Sequence, residues 1–420
     1  MASFAAERRT LTYAQARERV LGAARTLPAE QVPLAEAIGR PLRDPVTARH
    51  PLPPFRNSAM DGIAVRSADL ATATPGAPVV LAVIETLPAG RVATRTPGRG
   101  ETIRIMTGAM LPEGTDAVIP VEEVQFSESG QDRALVTRTC AAGHHVREAG
   151  LDIAAGEVAI EAGRALTPHD LALLASLGVA RPTVGRRPHV AVVSTGDELI
   201  APEAALTPGA IRDSNLPMLE ALITECGGRV VLAKRVGDDP AVVGQQLRAA
   251  LGKADVVITI GGVSAGEFDP VKQVIADLEG VELWRVAMRP GQPQAFGVPD
   301  GRLFFGLPGN PASVACVFEA LVRPALRRLQ GFAALDRPRI EAKAKVAIES
   351  REGRTDFVRV TLERRDGAWW ARPAGAPVSG HVAPQSRAHA LLVIPDAARR
   401  LTPGESSRAL LLRWPEEASA

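Results

Sequence analysis

The chain has 420 residues, 46% hydrophobic and 23% charged, which exceeds one ordinary domain and allows three or more cores. Its 49 Lys and Arg against 47 Asp and Glu leave a formal charge of +2, too weak a field to draw nucleic acid or an anionic membrane, so any anion site has to be local. The 3 scattered cysteines argue against a disulfide framework, the 7 histidines show no zinc-ligand spacing, and with no apolar run of ~20 residues and no signal-peptide centre the expected compartment is the cytoplasm.

In chain order, the first expected element is an amphipathic helix from Thr10 to about Pro28, with Ala14, Val20, Leu21, Ala24 and Leu27 near helical spacing. Its expected partner is a helix in LTPHDLALLASLGV, where Thr167 caps, Pro168 takes the first helical position and Gly178 ends the run. Between them, residues 45 to 150 are short apolar runs broken by Gly and Pro, such as PVVLAVIETL and ETIRIMTG, the pattern of a mostly β insertion. From about 186 to 330, compact apolar runs (HVAVVS, RVVLAKRV, DVVITIGG, RLFFG) alternate with helical patterns, which predicts an α/β unit with a parallel sheet covered on both faces. In NPASVACVFEALVRPALRRL, Asn310 caps, Pro311 enters the first turn, and Val314, Val317, Phe318, Leu321 and Ala325 form a buried stripe. Beyond 333, IEAKAKVAIE alternates, with Ile340, Ala342, Ala344, Val346 and Ile348 on one face. In FVRVTLERRDGAWWARP, Asp366-Gly367 signals a hairpin, so the last region is expected to be a small all-β domain with Trp369-Trp370 packed on its sheet.

Three strands of the α/β unit run into loops of glycine and small polar residues: Thr195 to Glu198 after VVS, Gly261 to Asp269 after VITI, and Leu307 to Ser313 after LFFG. In an open parallel sheet the loops at the carboxyl ends of the strands line one crevice. Glycines admit a ligand to the backbone, and exposed N–H groups and helix N-termini attract phosphate-like anions. Taken singly, each loop reads better as a tight βα turn; the three together point to a shared pocket. Acids lie beside it, Glu198, Asp238, Glu267 and Asp269, whereas Asp239 before Pro240 reads as a helix cap. Carboxylates next to an anion site call for a hard divalent cation, so a magnesium-dependent phosphate or pyrophosphate site is expected. Neither GxxxxGK[ST] nor GxGxxG occurs, which weakens the common ATPase and dinucleotide readings.

Arg285 and Arg289, in ELWRVAMRPGQPQAFG, fall on one face of an extended segment and could clamp an oxyanion; a solvent-facing pair on an edge strand is the alternative. Upstream, the prolines of PPFRNSAMDGIAVR exclude it from a sheet interior and leave Asn57, Ser58 and Asp61 displayed on a loop turned by Gly62. From the residues alone, that segment reads only as part of some site.

PPFRNSAMDGIAVR, IRIMTGAMLPEGTDAVI, LDIAAG, STGDEL, RDSN, GDDP, GGVSAGEFD, VAMRPGQPQAFG and GLPGNPAS stand in the order found in the molybdopterin molybdenumtransferases. The chain resembles this MoeA family, to which the gephyrin E domain is related, over nearly its whole length and most weakly in the C-terminal β region. The resemblance implies an elongated homodimer of four-domain subunits: a helical domain I (1–50 and 151–185), a β-rich domain II (51–150), an α/β molybdopterin-binding domain III (186–332) and a β-barrel-like domain IV (333–420). It places the active site between domain III of one subunit and domain II of the other, with NSAMDG reaching across. The implied reaction takes adenylylated molybdopterin and molybdate, breaks the pyrophosphate bond with Mg²⁺ offsetting charge, leaves molybdenum on the dithiolene and releases AMP. A molybdopterin adenylyltransferase is the implied upstream partner.

By matching motifs, the resemblance implies catalytic roles for Asp61, Thr107, Asp152, Glu198, Asp238 and Asp269, with Glu198 and Asp269 at the metal. It implies substrate contacts from Ser58, Thr195, Gly196, Asp213, Gly261, Gly262, Ser264, Arg285, Arg289, Pro308, Gly309, Asn310, Pro311, Arg359 and Ser379. The chain departs from the family at Gln292, where a lysine is usual; glutamine keeps N–H donors and loses the charge. Ile63 stands for a usual Tyr and Pro120-Val121 for Met-Gln. Gln292 favours the alternative of a non-catalytic molybdopterin-binding or scaffold protein of the same fold, and a different pyrophosphate hydrolase is a third reading.

Overall fold

The computed structural model of the protein describes residues 9–127, 132–263 and 270–415. Its centre is the α/β unit, where four strands, Arg229–Val236, His189–Thr195, Val256–Ile260 and Leu303–Leu307, lie parallel in that order. Alternate residues of these apolar runs enter two different cores, because successive side chains leave opposite faces of a strand. Val190, Val192 and Ile258 pack with Leu219 and Ile223 of the Asn215–Glu225 helix, while Ala191, Val193 and Val257 pack with Val243 and Leu247 of the Pro240–Leu251 helix.

The parallel expectation holds for those four strands and is broken at the next, Pro293–Gly297. Next to Leu303–Leu307 comes Pro293–Gly297, antiparallel to both its neighbours, and then Val281–Arg289, which pairs parallel with the strands on its other edge. The segment carrying Arg285 and Arg289 is thus the first arm of a hairpin turned at Pro290-Gly291-Gln292, and its outer edge is covered by strand Arg9–Thr12 and by Thr355-Asp356. The last pairing joins the α/β sheet to the C-terminal β region, giving one sheet of 12 strands among the described residues.

The N-terminal helix, Tyr13–Ala23, starts at a Thr12 cap whose hydroxyl accepts from Gln15 N. It does not pair with the later Pro168–Ser176 helix; Ala16, Val20 and Ala24 enter the core of the α/β unit instead. The reason lies opposite, at Pro324, which has no N–H for the carbonyl of Ala320 four residues back. The helix widens there into a π-helical turn, Phe318–Val322, and Ala320 O accepts from Tyr13 Oη at 3.4 Å and Arg17 Nη1 at 3.3 Å. Around it the Pro311 helix is buried on all sides rather than along a stripe. The Pro168–Ser176 helix has the expected Thr167 cap and Gly178 stop, and packs Leu174 with Val32, Leu42, Ile160 and Val184.

The insertion is β-rich as expected, a six-stranded sheet among the described residues. Gly62–Val65 lies inside it, between Ala117–Pro120 and Glu101–Ile105, so the expectation that this segment stays out of a sheet is wrong beyond its prolines. Gly62 is required by crowding: a Cβ there would sit 1.9 Å from Ile119 O. In the C-terminal region, Thr355–Arg365 and Ala368–Pro373 form the expected hairpin, with positive φ at Asp366 and Gly367. The alternating run breaks into Arg339–Ala344 and Ile348–Glu349, which leaves Val346 42% exposed rather than inward.

Candidate functional site

The three loop-bearing strands meet at one edge. Ser194 pairs with Ile260 and Ile260 with Leu307; Thr195 Oγ1 donates to Ile260 O at 3.1 Å, and Gly261 N donates to Leu307 O at 3.0 Å. At Gly261 (φ +91) a Cβ would lie 2.6 Å from Thr195 Oγ1, so glycine is what lets these turns close up. Gly262 also has positive φ, and at Gly196 the Glu198 carboxylate folds back over the backbone. Asp238 N donates to Asp197 Oδ1 at 3.0 Å, tying the neighbouring turn to the same edge. Asp239 is the cap expected, accepting from Ala241 N at 2.8 Å. Glu198 is exposed and Asp238 half-buried. Ser264 and Asp269, with Glu267, lie outside the described residues.

Asp213 is only 2% exposed and turns one carboxylate oxygen to Asn215 N and Leu216 N, both at 3.0 Å, at the start of the Asn215–Glu225 helix. Its Oδ2, and Oδ1 of the buried Asn215, have no donor among the described residues. Asn215 Nδ2 donates to Gly309 O at 2.7 Å, which fixes this acceptor pair against the Pro308-Gly309-Asn310-Pro311 turn. Sequence reasoning gave Asn215 no role, although it is the last residue of the RDSN motif that was singled out.

On the other side of that turn is a cavity of 780 Å³ between the α/β unit and the C-terminal region, with Arg289, Gln292, Pro308, Asn310, Arg354, Asp356, Arg359 and Ser379 in its walls. Asn310 caps no helix with its side chain; its amide donates to Ser379 Oγ at 3.1 Å, and Ala312 N donates to Ser379 O at 3.1 Å. Arg359 donates to the carbonyls of His381 at 3.0 Å, Val378 at 3.1 Å and Ala376 at 3.4 Å, and Arg289 to Pro377 O at 3.3 Å. Desolvation lowers the Arg359 pKa, yet an arginine starts so far above neutral that it stays cationic. Arg285 shares a strand face with Arg289 but is not in the cavity wall; it sits in the sheet between Thr10 and Pro293, so the two do not form a clamp there. Arg354 and Asp356 were not singled out from the sequence; their i, i+2 spacing at the start of the Thr355–Arg365 strand was the available signal.

The remaining residues sit on the β insertion. Asn57-Ser58 pairs with Val146-Arg147, and Ser58 is fully buried, its hydroxyl donating to Met60 O, so neither residue is displayed as expected. Asp61 is exposed, and its Oδ1 accepts from Thr107 N at 2.7 Å and Thr107 Oγ1 at 2.8 Å. Those two bonds, the backbone one foremost, hold its carboxyl below the usual 3.8. Asp152 is exposed in the turn against Leu52, whose O accepts from Asp152 N at 2.9 Å. None of Ser58, Asp61, Thr107 and Asp152 lines the cavity within the same chain.

Comparison with known proteins extends this geometry. Residues 11–178 match the family described as MoeA N-terminal region (domain I and II), 191–328 match "Probable molybdopterin binding domain", and 341–412 match MoeA C-terminal region (domain IV). Together they define a MoeA-like multidomain fold. The crystal structure of the molybdopterin biosynthesis MoeA protein from Pyrococcus horikoshii superposes with a TM-score of 0.81 at 31% identity, covering 97% of this chain and 100% of that one. Molybdopterin molybdenumtransferase 2 of Mycobacterium tuberculosis is 40% identical over 371 residues, 87% of this chain and 90% of that protein. The Bacillus subtilis molybdopterin molybdenumtransferase is 34% identical over 397 residues, 92% of each. The chain belongs to the MoeA family.

Proposed function

We propose that the protein is a molybdopterin molybdenumtransferase of molybdenum cofactor biosynthesis, which takes adenylylated molybdopterin and molybdate, breaks the pyrophosphate bond and releases AMP. The observation that carries this reading is that the Leu307–Pro311 turn has chemically different groups on its two sides. One side offers the unpaired acceptors Asp213 Oδ2 and Asn215 Oδ1, suited to the N–H groups of a pterin; the other offers arginine donors, suited to a tetrahedral oxyanion. At the same sheet edge, the glycine turn at Gly261-Gly262 leaves backbone free of side chains for phosphate oxygens to approach.

In this reading Asp213 and Asn215 orient the pterin, and Arg289, Arg359 and Ser379 hold the molybdate oxygens. The exposed Glu198 and the half-buried Asp238 are hard oxygen donors of the kind Mg²⁺ uses, one or two carboxylates with phosphate oxygens and water completing the shell. No cluster of three metal-ligating side chains stands among the described residues; in this reading Glu198, with Asp269 as the second expected ligand, would hold the ion. When bound it supplies positive charge against the pyrophosphate. The Asp61 carboxylate, kept ionised by Thr107, completes the site of a second copy of the chain in a homodimer. A molybdopterin adenylyltransferase would hand over the substrate.

The test is cleavage of adenylylated molybdopterin by purified protein with Mg²⁺, with and without molybdate. Cleavage that requires molybdate and is lost in Asp61→Asn is the expected result; molybdate-independent cleavage unaffected by that change rejects the assignment. Gln292 in the cavity wall favours a second reading, a molybdopterin-binding chain without turnover, for which ligand binding and no cleavage is the signature.

A further inference from the structure

Arg354 lines the same cavity as Arg289, Gln292 and Arg359, and no role follows for it from the fold alone. It forms a two-pronged ion pair with Asp356, Nε to Oδ1 at 2.7 Å and Nη2 to Oδ2 at 3.1 Å. Asp356 is 2% exposed and pairs through the backbone with Arg289, the strand-to-strand link between the α/β unit and the C-terminal region. A buried carboxylate needs one cation, and either a lysine or an arginine would serve. A planar guanidinium gripped along one side does more: its remaining N–H groups are fixed in plane and in direction.

The other arginines in the wall are differently engaged. Arg359 spends both Nη groups on the carbonyls of Ala376, Val378 and His381, and Arg289 gives Nη2 to Pro377 O. Nη1 of Arg354 has no protein acceptor among the described residues. Gln292, in the same wall, brings no charge. The geometry points to Arg354 as an oxyanion-contacting residue, held in place by Asp356, whose fork supplies the directed donors that position 292 lacks. This rests on the reading that the cavity takes a tetrahedral dianion.

Equilibrium dialysis of the full chain against molybdate, at fixed ionic strength, separates the two claims. Wild type is expected to bind and Arg289→Gln to lose binding; Arg354→Gln combined with Asp356→Asn, which leaves no unpaired buried charge, is expected to bind about tenfold more weakly. Adding Gln292→Lys to that double variant restores affinity, an effect that a purely structural pair would not show. If the double variant binds like wild type while Arg289→Gln does not bind, the role of Arg354 is overturned and the cavity reading stands. If the wild type binds no molybdate, the cavity reading falls and this inference with it. Arg354→Lys, which keeps a charge opposite Asp356, decides the matter should the double variant fail to fold: unchanged affinity there also overturns the inference.

Discussion

The cavity beside the Arg289 hairpin and the Asp61–Thr107 pair both fix a charged group in place, by opposite means. In the cavity, arginines are pinned by carbonyls of the 376–381 segment inside a concave space of 780 Å³. On the β insertion, a carboxylate is pinned by two short bonds on an exposed surface, outside the cavity of its own chain. The first region has shape and cation donors; the second has an anion and no enclosure. Each supplies what the other lacks, as the proposed site shared by two copies of the chain would need.

The sharpest way to break that comparison is complementation. Asp61→Asn and Arg359→Gln, made separately, should each lower molybdate-dependent cleavage by about 10²-fold or more. Co-expressed, they should recover about a quarter of wild-type activity, because half the dimers are mixed and each mixed dimer holds one intact site. No recovery would place the whole site within one chain. Gly62→Ala drives a Cβ toward Ile119 O, 1.9 Å away before relaxation. It should destabilise the six-stranded sheet by about 3 kcal/mol, read as earlier denaturant unfolding of the insertion. An unchanged unfolding curve would mean that the backbone gives way there at little cost.

Asn310→Ala removes the bond to Ser379 Oγ, worth about 1 kcal/mol, and should make the 374–381 segment faster to cleave in limited proteolysis. Equal cleavage would show that the bonds from Arg359, Arg289 and Ala312 N hold the segment without Asn310. The smallest effect concerns protonation. Thr107 depresses the Asp61 carboxyl below 3.8, so the stabilisation it brings is present above the unfolded value and lost as pH falls through the folded one. Thr107→Val keeps the backbone donor and removes the hydroxyl, so the carboxyl should titrate at a higher pH by carboxyl-carbon NMR; an unshifted titration would assign the whole effect to the backbone N–H.

Legibility in the sequence followed the range of the interactions involved. The Thr167 cap, the Asp239 cap and the Asp366-Gly367 turn are local, and the structure has them where the residues predict. The convergence of the three glycine turns was readable because strand direction in an α/β sheet fixes which ends meet. What stayed hidden depends on distant partners. Amphipathic spacing showed that Tyr13–Ala23 has a buried face, but not that a carbonyl left open by Pro324 would receive it. The same holds for Ser58, whose hydroxyl turns inward once Asn57-Ser58 pairs with Val146-Arg147. Arg285 and Arg289 share a face as their spacing says, yet the hairpin tip carries only Arg289 to the cavity.

Arg9 and Glu282 form an ion pair across 273 positions of chain, and the Arg9–Thr12 strand closes the sheet beside Val281–Arg289. On the ribosome, that strand and the helix after it therefore emerge long before the edge that will accept them. Until the segment around Ala320 has been made, Leu11, Ala16 and Val20 have no core to enter, so the amino-terminal piece docks late and seals a domain otherwise built from residues far downstream. A nascent chain halted before that point would present this apolar face to chaperones.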